Sequence, residues 1–427
     1  MTATMKLRLA FLPLTDAAPL VVARELGFFE RHGLDVTLSR ESSWASVRDK
    51  VQTERIDGAQ MLATMPLSLS LGATHAPMPL STALVMSLNG NAITLSESLV
   101  HDLRQSTGLE PNAAPMDIGR ALAKLVARRR SLGKRRLCFA SVYLTATHAY
   151  ALRYWLAACG IHPDHDVRMV IIPPPRMVEA LSSGLVDGCC VGEPWNHRAQ
   201  QEGAGRIMLT SFDVHHNMPE KVLAVRRDWL AGNEAAHHHL LMAMIEAGRW
   251  VENPDNLDDL ASLLARPEYV DVPSEVLRHS LAGEIAPTLD APRRAVPDFH
   301  VFSRYAANYP WRSHAQWFLS QMVRWGHIPA DTDIRATANE VYRPDAYRRA
   351  AEDLGVGCPR LDCKDEGGHG TPYDSGGLTL GPDRFIDGET FEPRRLEATI
   401  ERERRSDQAL LEAADTPPGP RLAARSW

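Results

Sequence analysis

Short apolar runs alternate with amphipathic stretches through the first half of the chain. Residues 7–12 alternate and then turn fully apolar, which predicts a strand. Residues 17–26 repeat apolar positions at helical spacing and stop at Gly27. A second strand is predicted over 34–38, and Ser42 or Ser43 can cap a helix running to about Glu54. Residues 57–61 predict a third strand, 65–71 the start of a helix, and 79–86 a fourth strand. This alternation predicts a mostly parallel sheet covered by helices.

A second series follows. Residues 118–131 predict a helix with Arg and Lys near its end, as the macrodipole favours. Strands are predicted over 136–140, 168–172 and 186–191, with helices over 147–158 and 176–182 between them. Residues 221–225 predict a strand returning to the first lobe, 233–252 a long helix, and the chain reads as helical to about 354. The predicted organisation is therefore lobe I from 1–88 plus 222–354, lobe II from 89–221, and an extension over 355–427. In that extension glycine, proline and charge dominate, as in Gly367-Gly368-His369-Gly370-Thr371-Pro372. Residues 416–427 are expected to be mobile. Residues 396–413 predict a polar helix with a solvated surface; a partner-binding arm is the alternative.

Composition narrows the classes. A chain of 427 residues exceeds one ordinary core. A formal net charge of −6 gives no global attraction to nucleic acid. The runs Arg128-Arg129-Arg130 and Lys134-Arg135-Arg136 have no interleaved aromatics, so they read as a helix end and a strand entry, not an RNA surface. No apolar run approaches the roughly 18 residues that span a membrane. Lys6 and Arg8 precede an apolar stretch that Pro13 and Asp16 break, short of the about 7–15 residues of a signal-peptide core. No cysteine precedes Cys138, so no early lipid anchor is expected either, and the expected location is cytoplasmic. The six cysteines (Cys138, Cys159, Cys189, Cys190, Cys358, Cys363) lack a disulfide-framework spacing and read as buried reduced thiols. Cys358 and Cys363 with His369 suggest zinc, but four well-spaced ligands are not present, and no metal or cofactor is expected.

Several blocks carry chemistry. They are residues 11–20 (Phe11-Leu12-Pro13-Leu14-Thr15-Asp16 onward), Gly27-Phe28-Phe29-Glu30, Ser42-Ser43-Trp44-Ala45, Ile56-Asp57-Gly58-Ala59-Gln60, Thr147-His148-Ala149-Tyr150, Val191-Gly192-Glu193-Pro194-Trp195-Asn196 and Pro219-Glu220-Lys221-Val222. The first two resemble the α/β, type-II periplasmic-binding-protein fold of the nitrate, sulfonate, taurine and thiamine-precursor group. Together the blocks resemble the subgroup that binds nitrate, nitrite or bicarbonate for bacterial ABC transporters, over most of 6–350. Residues 385–391 echo its C-terminal segment.

The resemblance implies an anion held between two lobes by Trp44 and Gln60 from the first, His148 and the Gly192 backbone from the second, and Lys221 near the hinge. Each residue type suits that task. Lys221 compensates a buried charge. His148, near a helix start, can donate a ring N–H where the dipole favours anions. Gln60, read as ending its strand, can turn its amide into the cleft, and Trp44 can donate its indole N–H and stack on a planar oxoanion. Glu193 is expected to orient or close the lobes. No acidic cluster suggests calcium, which favours nitrate or nitrite over bicarbonate. With no export signal, the chain resembles the cytoplasmic nitrate/nitrite sensor that holds an RNA-binding antiterminator inactive until ligand arrives. The alternative is the substrate-binding component of a nitrate, nitrite or bicarbonate importer. An enzyme using His148 or Cys189-Cys190 lacks a cysteine-rich active-site loop.

Overall fold

The computed structural model describes residues 4–110, 112–286 and 293–415, and residues 416–427, expected to be mobile, lie outside it. Ten strands form two sheets: β1 (Met5–Phe11), β2 (Leu34–Arg40), β3 (Gly58–Leu62), β4 (Leu80–Asn89), β5 (Asn91–Ser96), β6 (Cys138–Ser141), β7 (Arg168–Ile171), β8 (Gly188–Gly192), β9 (Gly205–Thr210) and β10 (Pro219–Arg226). The first sheet runs β4-β10-β3-β1-β2, with a short strand, His300–Val301, beyond β4. The second runs β7-β6-β8-β5-β9. Each is parallel where βα units build it (β1 with β2 and β3; β6 with β7 and β8) and antiparallel where the chain crosses between lobes. Thus β10 is antiparallel to both β3 and β4, and β5 to both β8 and β9.

The α/β architecture with two lobes is the one the sequence predicts, and the Thr147–Ala158 helix has the predicted bounds. Two boundaries move. Asn89 closes β4 and Pro219–Lys221 open β10, so these residues, assigned above to lobe II, belong to the first sheet. β5 and β9 were not anticipated. β4 and β5 are buried along their whole length and separated by a single residue, so burial does not mark where one sheet ends and the other begins. The break is Asn89-Gly90, with φ of 57° and 82°. A Cβ on Gly90 would also lie 2.6 Å from the His300 ring, so both conformation and space require glycine there. The return crossing uses Asn217, φ 56°, and Asn89 Nδ2 donates to Asn217 Oδ1 at 2.9 Å, tying the two crossings together.

The extension is ordered through residue 415 and packs against the rest of the chain. His216 N donates to Arg384 O at 3.0 Å, Ile386 N to Val214 O at 2.9 Å and Asn217 Nδ2 to Pro382 O at 2.9 Å, all beside the return crossing. Lys364 lies between Glu366 and Asp383, and Glu366, fully buried, faces His314 Nε2 at 3.3 Å. Cys358 and Cys363 are unpaired, and His369 stacks on Tyr373 at 3.6 Å. The Leu396–Asp415 helix is not solvated all round, as the sequence had suggested. Gln321 Nε2 donates to Glu403 at 2.9 and 3.0 Å, and Arg324 binds both oxygens of Asp407 at 2.8 and 2.7 Å. Polar residues that pattern as a surface face here satisfy one another in a buried seam.

Removing Arg324 would leave two largely buried carboxylates unpaired. Arg324→Ala is expected to destabilise the chain by about 3 kcal/mol and to expose the terminal helix to limited proteolysis, read by thermal denaturation and mass mapping of the fragments.

Candidate functional site

The cleft lies at the carboxyl ends of β1, β3 and β8, where a sheet edge and helix starts present polar groups. All five predicted residues are buried there: Trp44, Gln60, His148, Gly192 and Lys221. Trp44 is the first residue of the Trp44–Gln52 helix, set by the Ser43 cap, whose side chain accepts from Ser46 N at 3.1 Å. His148 is the second residue of the Thr147–Ala158 helix. Gly192 ends β8. Gln60 sits in the middle of β3, not at its end, and reaches the loop after β1: Leu12 N donates to its Oε1 at 2.9 Å, and its Nε2 donates to Asp16 Oδ1 at 2.6 Å.

Lys221 is not the free cation the sequence suggested. Its Nζ lies 2.8 Å from Asp16 Oδ2 and 2.6 Å from Glu220 Oε1, and 5.6 Å from the centroid of Trp44. Asn91 Nδ2 donates to Glu220 Oε2 at 2.5 Å, so the ion pair reaches across to β5 of the second lobe. No acidic residue was expected to contact the anion, yet Asp16 and Glu220 both lie at the site and are buried. Asp16 lies within residues 11–20 and had no assigned role. Glu220 had no assigned role either, and strand neighbours ordinarily point to opposite faces. The β10–β4 register shifts on both sides of Lys221, and this irregularity breaks the alternation so that Glu220 and Lys221 meet.

Burial pushes the Asp16 carboxyl up to about 6, against the pull of Lys221. Burial also opposes ionisation of Glu220, yet the Lys221 ammonium beside it holds it below its ordinary value. Burial lowers His148 to about 4, with Glu220 opposing and Lys221 reinforcing the shift, so the ring is neutral near pH 7. Burial raises the Cys189 and Cys190 thiols, which makes both poor nucleophiles.

Donors remain. Trp44 Nε1 and His148 Nε2 are buried and have no partner among the described residues. Lys221 keeps a third N–H and Gln60 a second. A Cβ on Gly192 would lie 3.5 Å from His148 Nε2 and from Leu14 Cδ2, so the glycine leaves a methyl-sized space beside that nitrogen. Glu193, fully buried, helps join the lobes as expected. Its carbonyl accepts from Thr15 N at 2.8 Å, and its carboxylate meets His197 Nδ1 at 2.8 Å. Burial opposes charge on His197, and Glu193 outweighs it to raise the imidazole's pKa. On the other side of the cleft Thr145 Oγ1 donates to Ser68 Oγ at 2.9 Å. The clamp is closed.

A closed two-lobed cleft with N–H donors buried in it places the chain in the class of two-lobed α/β proteins with the periplasmic-binding-protein fold. Residues 2–265 match the model of the NMT1-like family, and the chain belongs to that family. It is similar to the nitrate/nitrite binding protein NrtA of Synechococcus elongatus, 33% identical over 92% of this chain and 85% of that one. It is 38% identical to the nitrate import ATP-binding protein NrtC of Synechocystis over 82% of this chain, which spans 50% of that longer relative. The crystal structure of the periplasmic nitrate-binding protein NrtA from Synechocystis superposes with a TM-score of 0.81 at 30% identity, covering 94% of this chain and 98% of that one.

Lys221→Ala is expected to unfold the cleft as well as weaken it, costing about 3–5 kcal/mol because two buried carboxylates lose their cation. Adding Asp16→Asn to that variant is expected to recover part of the lost melting temperature, measured by calorimetry at pH 7.

Proposed function

We propose that this chain binds nitrate or nitrite between its lobes as the binding component of an ABC-type importer. The observation that carries the reading is the set of buried N–H donors on Trp44, Gln60, His148 and Lys221, two of which have no protein partner among the described residues. A planar, three-oxygen anion can accept from all four at once. The similarity to NrtA over nearly the whole chain supports the same ligand class. Anion and closure are linked, because the donors come from both lobes and converge only when Thr15 meets Glu193. A micromolar ligand supplies about −8 kcal/mol in total, and a few kcal/mol of difference between open and closed forms suffices to hold the clamp shut.

A second reading is a cytoplasmic sensor that controls an RNA-binding antiterminator. The relatives support the importer reading better, since they are named as components of nitrate import and nitrate/nitrite binding. In a sensor, closure would be read by a protein partner and not by a permease.

Calorimetric titration is expected to give 1:1 binding of nitrate or nitrite to the purified chain. Gly192→Ala is expected to fold with a stability change under about 1 kcal/mol, yet to bind at least about tenfold more weakly because its methyl fills the space beside His148. Wild-type affinity in that variant sinks the assignment of the cleft. The two roles separate in reconstitution. Nitrate-dependent ATPase stimulation of a membrane importer by the added chain supports the first. Co-purification with an antiterminator, released by nitrate, supports the second.

A further inference from the structure

Six cations fall within nine residues at one end of the second lobe, and the cleft uses none of them. Arg128, Arg129 and Arg130 end the Pro115–Ser131 helix, the chain turns at Gly133 (φ 63°), and Lys134, Arg135 and Arg136 lead into β6. This edge lies at the amino ends of β6 and β8, whereas the cleft lies at the carboxyl end of β8. Helix-end cations complement the macrodipole, which accounts for the first three. The second three stand outside the helix. Two of the six have carboxylate partners: Arg130 meets Asp166 at 2.6 Å, and Arg135 meets Asp187 at 2.7 Å. Arg129 and Arg136 donate to backbone carbonyls, of Arg135 at 3.2 Å and His165 at 2.9 Å, which fixes their positions and leaves their charge unmatched. The Arg128 and Lys134 side chains have no partner among the described residues.

Apolar surface is interleaved with this charge. A groove of about 370 Å³ has Arg129, Lys134 and Arg136 along it, with the buried Val126 and Leu137 at its base. A second groove, of about 320 Å³, shares Arg129 and Lys134, adds Arg128, and includes Leu132. Leu132 is 55% exposed, and Leu185, two residues before the Asp187 that holds Arg135, is 58% exposed. No aromatic ring other than His165 lines either groove, so bases have little to stack on. An acidic peptide answers the cations and not the leucines. A phospholipid answers both, because it joins anionic oxygens to apolar chains.

We propose that this end of the second lobe docks on an anionic phospholipid bilayer, with lipid phosphates in the two grooves and Leu132 and Leu185 in the interface. The inference goes beyond the anion-binding reading and does not rest on it. The whole chain carries −6, so repulsion of the remainder turns this end toward an anionic surface. The contact is peripheral: among the described residues no helix is long and apolar enough to cross a membrane. Docked by this end, the chain keeps its cleft away from the lipid.

The test is flotation of the purified full chain with vesicles of phosphatidylcholine, alone or with about one-third phosphatidylglycerol. At low salt the wild type is expected to float at least about tenfold more with the anionic vesicles, and to be released as salt approaches about 1 M, where screening is nearly complete. Arg128→Glu/Lys134→Glu breaks no hydrogen bond or ion pair of those two side chains among the described residues. It is expected to lose the anionic binding and keep its melting temperature. Leu132→Ser/Leu185→Ser is expected to weaken binding about tenfold. Equal flotation with both vesicles overturns the proposal, as does full binding by the charge-reversed variant or by the serine variant. Wild-type retention by oligouridine or a glutamate-rich peptide, with no flotation, also overturns it and makes the surface one for RNA or protein. So does release by millimolar inorganic phosphate at constant ionic strength, since the grooves then hold free phosphate and not a bilayer. Nitrate titration of the same samples reads the cleft separately.

Discussion

The structure depends on one ammonium held in a place with no water. Lys221 is fully buried at the centre of the first sheet, and that position is stable only because Asp16 and Glu220 lie within hydrogen-bonding distance. The pair also does positional work. Asp16 fixes the loop after β1 through Gln60, and that loop supplies Thr15, which bonds to Glu193 of the other lobe. Glu220 takes a hydrogen bond from Asn91 at the start of β5 and lies beside His148. One charged chain therefore runs from the N-terminal loop of the first lobe, through the crossing strand, to a strand and a helix of the second. Pulling the lobes apart strains it at both ends.

Much of this was legible in the sequence. The residues at Trp44, Gln60, His148, Gly192 and Lys221, singled out by the family resemblance, do converge, and local patterning places most of them at helix starts or on strands that border the cleft. What escaped was set by tertiary register. Glu220 reaches Lys221 only through the irregular pairing of β10 with β4, which no period-two reading can anticipate. β5 escaped because the chain passes from one sheet into the other within a single buried run. The terminal helix looked like a solvated surface because its acidic residues pattern that way. Their partners, Gln321 and Arg324, lie far away in the sequence.

The extension bears on how the clamp moves. It docks beside the return crossing at residues 214–217, against the Arg312–Arg324 helix, and through Asp387 on Tyr154 of the second lobe. Tyr150 of that same lobe bonds to His327, just past the Arg312–Arg324 helix. Opening the cleft must therefore turn about a back wall held at several points, which favours a small rotation at Asn89-Gly90 and Asn217 over a wide swing.

On the proposed nitrate-binding reading, charge balance also limits what the cleft would accept. With Lys221 already matched by two carboxylates, selectivity cannot come from a surplus of positive charge. It must come from neutral or conditionally charged N–H donors: the indole of Trp44, the amide of Gln60 and the ring of His148. A doubly charged oxoanion such as sulfate would add two negative charges where even one needs help, and burial makes that cost steep. A monovalent planar anion adds one, spreads it over its oxygens, and meets a donor at each. The carboxylates thus serve selection as much as stability. They keep the lysine in place and deny the cleft the excess positive potential that would admit any anion at all.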